Sequence, residues 1–228
     1  MDLVQEYYRN HQSTTHSIEY KAGQLKEKIT ATKEVQTRSG DLMIDRYLIN
    51  NNEHLQMRLT HTYPVSGKSD KIVLWLNING NSPARLAENT ISFDFRGTGL
   101  DRMNYLTESS DNLKFDNADS TAAYFNPLSG VMANYVYNSL LTGRPYFLQM
   151  IEDAEIATIF ARDHLGIKEI TVDGTEDSQL IVEQVVRALN LKPANSTIKP
   201  GLSWSQIITG KREQWPIQYL MPGGAYIK

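Results

Sequence analysis

The chain has 228 residues, of which 40% are hydrophobic and 21% charged, enough for one large domain with a substantial buried core. Its 23 basic and 26 acidic residues are interspersed and give a net charge of −3, so no basic patch predicts nucleic acid or an anionic membrane as a partner. Cysteine is absent, which excludes disulfides, thiolate metal sites and cysteine nucleophiles.

The first 36 residues are predicted to form a polar N-terminal arm, and the folded domain is expected to cover residues 37–228. The arm holds one helix-like stretch, Ser17–Lys28. Its start lacks the charged and apolar regions of a signal peptide, and no apolar run approaches the roughly 20 residues of a membrane span. We therefore expect a soluble chain without a membrane partner, in a compartment that the sequence does not identify.

The first half of the domain reads as strands. Asp41–Asn50 and His54–Tyr63 roughly alternate apolar and polar residues across a short polar turn, which predicts an antiparallel hairpin. Lys71–Ile78 and Thr90–Phe95 are candidate strands, and the first is a nearly continuous apolar run, typical of a strand covered on both faces. Any helix between them, around Pro83–Glu88, is predicted to be very short.

The second half reads as a long loop followed by alternating helices and a strand. The polar stretch Leu100–Pro127 is either functional or disordered. Gly130–Leu141 and Tyr146–Leu165 are predicted helices, the second from apolar residues at steps of three and four. A strand at Glu169–Val172 and an amphipathic helix at Ser178–Asn190 follow. Together the elements predict an α/β domain with a mainly parallel sheet, an N-terminal antiparallel hairpin and flanking helices.

Three segments, in this order, carry a resemblance to a known family. Ile72–Gly80 looks like the strand that leads to the oxyanion loop of α/β-hydrolases. Asp94–Gly99 (DFRGTG) resembles the D-x-R-G-x-G motif after the next strand, and Gly174–Ser178 (GTEDS) falls at the nucleophile elbow. The tail from Leu202 to Gly223 is loosely similar to the acetyl xylan esterase branch. The resemblance covers roughly residues 37–228 and implies an α/β-hydrolase-like fold whose C-terminal part is missing.

The resemblance also implies a catalytic machinery that this chain does not carry. Glu176 stands where the family has its serine nucleophile, and no histidine follows His164, although the acid and histidine of this fold come after the nucleophile. A serine needs an adjacent base to take its proton, so this route of acyl transfer is predicted to be absent. Asn79 and Gly80 stand at the start of the oxyanion loop, where hydrogen-bond donors could still form part of a hole.

Two pairs of charged residues remain open to two interpretations each. Glu176 and Asp177 are candidate carboxylate nucleophiles, or acids that favour the positive end of the following helix, and we favour the second interpretation. Asp94 and Arg96 are either ligand-binding side chains at the carboxyl end of a strand or a pair that fixes the loop, and we favour the loop.

These observations predict a catalytically degenerate α/β-hydrolase-like domain with a binding or assembly role. The alternatives are a carboxylic ester hydrolase acting on acetylated carbohydrate, completed from elsewhere, and a carboxylate-nucleophile hydrolase. A carbohydrate or acyl-ester ligand is one expected partner, since three tryptophans and twelve tyrosines offer surfaces for stacking sugars. A homo-oligomer is another, because an exposed sheet edge favours self-association. The five histidines are scattered, so neither a metal site nor a cofactor is predicted.

Overall fold

The computed structural model describes residues 20, 22–23, 29–50, 56–79, 89–99, 131–195, 207 and 216–219. Several sequence predictions fall wholly or largely outside these residues: the helix at Ser17–Lys28, the hairpin turn at 51–53, the short helix at Pro83–Glu88, the stretch Leu100–Pro127, Gly80, and most of the C-terminal tail.

The described residues form seven strands and three α-helices. The strands are β1 (Thr30–Ser39), β2 (Leu42–Asn50), β3 (Gln56–Pro64), β4 (Lys71–Asn77), β5 (Thr90–Asp94), β6 (Glu169–Gly174) and β7 (Lys192–Pro193). The helices are α1 (Val131–Leu141), α2 (Tyr146–Asp163) and α3 (Gln179–Ala188), and 3₁₀ turns lie at Glu176–Ser178 and Ile217–Tyr219.

All seven strands belong to one sheet in the order β1-β2-β3-β5-β4-β6-β7. The predicted α/β character and the antiparallel β2–β3 hairpin are confirmed. The prediction of a mainly parallel sheet is wrong: β1–β2, β2–β3 and β3–β5 pair antiparallel, whereas β4–β5, β4–β6 and β6–β7 pair parallel. The sheet is therefore mixed. Strand β1 pairs antiparallel with β2 of the hairpin, and β3, the other hairpin strand, pairs antiparallel with β5.

The sequence prediction missed the strands β1 and β7, and β1, the longer, begins inside the stretch predicted as the arm. It lies at the sheet edge with all but one of its residues exposed, so no alternation of apolar and polar residues reveals it. Its register with β2 shifts between Lys33 and Val35, as bulges on edge strands do. The edge position explains why a polar sequence forms a strand here.

A buried carboxylate on β2 anchors β1 to the hairpin. Asp45 is fully buried, and it accepts hydrogen bonds from Lys33 Nζ at 2.8 Å, Gln36 Nε2 at 2.7 Å and the Tyr63 hydroxyl at 3.1 Å. Burial alone would favour the neutral acid, but these donors hold the pKa of Asp45 below its ordinary value. Because two of the donors come from β1, the charge is paired across the edge of the sheet.

The core lies on the face of the sheet that carries α2 and α3. The alternate residues Ile72, Leu74 and Leu76 of β4 are buried in this core. Along α2 the predicted apolar stripe is buried, and its polar member Thr158 is satisfied because its hydroxyl donates to the Ala154 carbonyl at 2.8 Å. The apolar residues that repeat with the helical period in the sequence thus form the face that packs on the sheet.

Candidate functional site

The chain reverses its direction of travel across the sheet at β4. From β4 it passes to β5 on one side and later to β6 on the other, so the carboxyl ends of β4 and β6 flank a topological switch point. Open α/β sheets bind their ligands outside the carboxyl ends of strands at such a point. The parallel register places Leu76 beside Gly174. The predicted site residues Asn79, Glu176 and Asp177 therefore lie together beyond the carboxyl ends of β4 and β6.

The segment after β6 has the predicted order of strand, turn and helix, but not the backbone of a strained elbow. Thr175 is extended, with φ −67° and ψ 165°, and Glu176–Ser178 form one 3₁₀ turn before α3. A nucleophile elbow holds its nucleophile on a sharp, strained turn. In the part of the chain that the structure describes, Asn190 is the one non-glycine residue with positive φ. The backbone of Glu176 and Asp177 therefore does not have the strain that a positive φ gives a non-glycine residue.

Gly174 is required by close packing rather than by its backbone angles. A Cβ atom at this position would lie 2.6 Å from the Leu76 carbonyl oxygen and 3.0 Å from Val182 Cγ2. Glycine therefore lets β6 and α3 approach the end of β4 closely.

Ser178 links the two segments at the switch point. Its side chain is fully buried, and its Oγ accepts a hydrogen bond from the Ile78 backbone N–H at 3.1 Å. The same oxygen lies 2.7 Å from Thr175 Oγ1, where either hydroxyl can be the donor. A serine nucleophile has to reach a substrate, and Ser178 is instead part of the packing between β4 and the turn.

The main-chain donors after β4 are already occupied. The Ile78 N–H binds Ser178, and the Asn79 N–H donates to Asn77 Oδ1 at 2.9 Å. The Asn79 side chain donates to Asp177 Oδ2 at 3.4 Å, at the long limit for a hydrogen bond. Oxyanion holes are built from donors left free for the developing charge, and neither of these two N–H groups is free. Gly80, the other predicted oxyanion-loop residue, lies outside the described residues.

Two residues near the C-terminus also bind at the switch point, and the sequence did not identify them. Gln218 Nε2 donates to the Ile78 carbonyl at 3.2 Å, and the Tyr219 hydroxyl donates to the Asp177 carbonyl. Both side chains are buried, and Tyr219 packs edge-on against Phe147 of α2 with 5.9 Å between ring centroids. Burial raises the pKa of Tyr219 above its ordinary value, so its hydroxyl stays a neutral donor. The C-terminal 3₁₀ turn therefore covers part of the switch point.

The side chains of Glu176 and Asp177 are exposed, as acids beside the first turn of α3. The two histidines within the described residues have other partners. His61 binds Asn89 at 2.7 Å, and His164 stacks on Phe160 at the end of α2, with 5.6 Å between ring centroids. Neither histidine orients or activates the acidic pair through a hydrogen bond.

Arg96 is bound to α2 by a buried carboxylate, Asp153, and a partly buried one, Glu152. Its Nη2 lies 2.5 Å from Asp153 Oδ1 and 2.7 Å from Glu152 Oε2, and its backbone N–H donates to Asp153 Oδ2 at 3.0 Å. Burial alone would lower the pKa of Arg96, but the Asp153 and Glu152 carboxylates raise it above the ordinary value. The Arg96 carbonyl in turn accepts from the Tyr146 hydroxyl at 2.8 Å. These are the contacts expected when Arg96 fixes the loop.

Asp94, the last residue of β5, lies against the same loop. A Cβ atom at Gly99, whose φ is +52°, would come within 2.0 Å of Asp94 Oδ2. The glycine therefore provides both the left-handed backbone and the space that the Asp94 side chain occupies. Asp94 ends β5 and Arg96 follows it, on the far side of β4 from the turn after β6.

Within the described residues, no three His, Asp or Glu side chains are close enough to hold a metal ion. The helices in these ranges are also too short or too polar to cross a membrane.

Comparisons with known proteins give a distant structural likeness. No family model matches the chain, and no curated protein matches it. Among solved structures, the chain is similar to acetyl xylan esterase 1 from Thermoanaerobacterium sp. JW/SL YS485, with 12% identity and a TM-score of 0.39 over 81% of this chain. The match covers 54% of that protein. Since the TM-score is below 0.5, the mixed α/β sheet is established by the strand order and not by this likeness.

Proposed function

We propose that the chain is a catalytically degenerate α/β-hydrolase-like domain whose role is binding or assembly. The hydrolase-like part of the proposal is supported by the position of the three resembling segments. They include the carboxyl ends of β4, β5 and β6, where the family has the strand to its oxyanion loop, its D-x-R-G-x-G motif and its elbow.

The loss of catalysis is supported by one observation above all: the groups at the switch point bind each other. The Ile78 N–H is used by buried Ser178, the Asn79 N–H by Asn77, and the Asp177 carbonyl by Tyr219. Acyl transfer needs an exposed nucleophile, a base that primes it and free donors for the oxyanion. Among the described groups of the switch point, the Ile78 and Asn79 N–H groups and the Ser178 hydroxyl are already paired, so they supply neither a free serine nucleophile nor donors for an oxyanion.

The proposal is tested with the purified chain and p-nitrophenyl acetate. We expect hydrolysis at the uncatalysed rate, unchanged in Glu176→Gln and in the matched control Glu183→Gln, an acid on α3 that pairs with Arg187. A serine-directed phosphonate is expected to leave the mass of the chain unchanged. Turnover well above background, or a phosphonate adduct on Ser178, would overturn the proposal and favour the ester hydrolase.

A carboxylate-nucleophile hydrolase is the second candidate, because Glu176 is exposed at the carboxyl end of a parallel strand. In such an enzyme the carboxylate attacks a substrate carbon and displaces its leaving group, which gives a covalent ester; water then attacks the carbonyl carbon of this ester, releases the product alcohol and leaves its oxygen in the carboxylate. Turnover in ¹⁸O-labelled water would therefore place the label in the peptide that contains Glu176. We expect no label there. Labelled Glu176, together with activity that Glu176→Gln abolishes, would replace the first proposal by this one.

The assembly role is supported by the exposed edge strand β1, whose outer backbone groups are a template for pairing with another chain. Light scattering during gel filtration measures the oligomeric state. We expect association that increases with concentration and that Val35→Lys on β1 weakens. A strictly monomeric chain would leave only the binding role.

A further inference from the structure

A polar cavity of about 240 Å³ lies on the sheet face opposite α2 and α3. Val73 and Trp75 of β4, Thr171 and Asp173 of β6, and Asn195 beyond β7 are among the residues that line it. The parallel register sets Val73 beside Thr171 and Trp75 beside Asp173. These are the alternate positions to the core residues of the same strands, so the cavity is separate from the core and from the groups paired at the switch point.

The lining contains a buried donor with no acceptor among the described residues. Trp75 is only 9% exposed, and its indole Nε1–H makes no hydrogen bond within that part of the chain. Buried polar groups in folded proteins nearly always have a partner, and one without a partner costs free energy. The usual reason for a tryptophan in a sheet, burial in the core, does not account for this N–H.

Beside Trp75 lies a buried acceptor. Asp173 is 7% exposed; its Oδ1 accepts from the Gly174 N–H at 2.8 Å and its Oδ2 from Asn195 Nδ2 at 3.1 Å. Each carboxylate oxygen can accept about two hydrogen bonds, so capacity remains on both. Within the described residues no lysine or arginine forms an ion pair with Asp173.

We propose that this cavity binds a small neutral polyol. A hydroxyl group both accepts and donates, so one ligand hydroxyl accepts from Trp75 Nε1–H while another donates to Asp173. An anion would be opposed by the Asp173 carboxylate, and a cation would leave the indole N–H without an acceptor. At about 30 Å³ per water, the volume equals roughly eight waters, which suits a molecule of a few carbon atoms. The inference does not depend on the proposed loss of catalysis.

The test is a titration of the ¹⁵N-labelled chain with glycerol, xylitol and myo-inositol, followed at the indole N–H resonances of the three tryptophans. Trp75→Phe assigns the Trp75 resonance by its disappearance. We expect at least one polyol to shift this resonance downfield with saturation, since a new acceptor lengthens the N–H bond. Asp173→Asn, which keeps the shape of the side chain, is expected to weaken that binding about tenfold or more.

Ser92→Ala is the matched control, because Ser92 pairs with Trp75 from β5 but does not line the cavity. It is expected to leave the titration unchanged. Thr171→Val provides a second lining variant if Trp75→Phe or Asp173→Asn fails to fold, and a weaker titration in it supports the proposal. The proposal is overturned if no polyol gives a saturating shift, if methylammonium or acetate gives one and the polyols do not, or if the lining variants bind as the parent does.

Discussion

The loop that follows β5 is held by buried charges, whereas the turn that follows β6, on the other side of β4, is held by neutral groups. In the first, Arg96 is bound by Asp153 and Glu152 from α2. In the second, the Ser178 hydroxyl and the Tyr219 phenol bind backbone groups. Both segments lie where such sheets commonly place ligand-binding groups, and in both the groups just named bind other parts of the same chain.

The difference shows what each segment loses when one contact is removed. A buried charge that loses its partner remains in a medium that solvates it poorly, so a single substitution leaves a large penalty. A neutral donor that loses its acceptor leaves a smaller one. We therefore expect the loop after β5 to be the more sensitive of the two, and the predictions below follow from the largest expected effect to the smallest.

Arg96→Met is expected to lower the free energy of unfolding by about 3–5 kcal/mol, because Asp153 would stay buried without its cation. Urea denaturation measures the change. Arg144→Met is the control, since Arg144 pairs with the same Glu152 but is 58% exposed, and a loss under about 1 kcal/mol is expected there. The double variant Arg96→Met/Asp153→Leu should recover part of the loss. Equal losses in the Arg96 and Arg144 variants would contradict the role given to buried charge.

Gly174→Ala is expected to cost about 2–3 kcal/mol, because the added methyl group would meet the Leu76 carbonyl at 2.6 Å. The clashing atom belongs to the backbone of β4, so it cannot move aside as a flexible side chain would. The same denaturation measurement applies, with Glu176→Ala in the same turn as control, expected within about 0.5 kcal/mol because Glu176 is exposed. A Gly174 variant as stable as this control would show that the turn has room to relax.

Ser178→Ala is expected to cost about 1–2 kcal/mol, since the Ile78 N–H would lose its acceptor in a buried position. Amide hydrogen exchange at Ile78 should become faster, while the uncatalysed rate of ester hydrolysis should stay the same. Protection of this amide unchanged by the substitution would mean that the hydroxyl does not fix the turn.

A further comparison concerns the amino ends of β4 and β5, where the titratable side chain of His61 is held neutral. His61 Nε2–H donates to Asn89 Oδ1, while Asn89 Nδ2 donates to the carbonyls of Ser69 and Lys71. Burial lowers the pKa of His61 below 6.5; the hydrogen bond to Asn89 and the Asp45 carboxylate oppose this shift, whereas the positive charges of Lys68 and Lys33 add to it. The imidazole is therefore neutral in the folded chain at neutral pH.

The sign of the effect follows from proton binding. Below about pH 6.5 the unfolded chain binds a proton at His61 and the folded chain does not. The free energy of unfolding therefore decreases as the pH is lowered, until the pH reaches the lower pKa of the folded chain. Urea midpoints between about pH 7.5 and about pH 5.5 should fall more steeply in the parent than in His61→Gln, which keeps a side-chain N–H donor but does not titrate. Parallel pH profiles would remove His61 from the explanation, and this is the smallest of the four effects.

Local patterns predicted most of the regular structure of the parallel half of the sheet. The helical stripe of α2 and the apolar run of β4 are each long enough to show their period, so both elements begin at the predicted residues, Tyr146 and Lys71. The sequence also placed Asp94–Gly99 and Gly174–Ser178 at the carboxyl ends of strands. β1 was missed because an exposed edge strand has no apolar face to give it a period.

The partners of the site residues could not be predicted in the same way. Arg96 binds a carboxylate 57 positions away, Ser178 a backbone N–H 100 positions away, and Gln218 a carbonyl 140 positions away. No local pattern links such residues, because their proximity depends on strand order and on the direction of each crossing. The sequence could therefore name the residues at the ends of the strands but not the groups that bind them.

By itself, the sequence determined the residue types at these positions: a glutamate where a related enzyme would have serine, and no histidine after it. It also supplied glycines at positions 99 and 174, where neighbouring atoms leave no room for a side chain. Composition and period are properties of neighbouring residues, so they can be read without a fold. Only the tertiary structure decided that Ser178 is buried, that Arg96 is paired, and that Trp75 faces a polar cavity with an unused donor. Those properties depend on which groups exclude water from each other, and that is settled only when distant strands and helices pack.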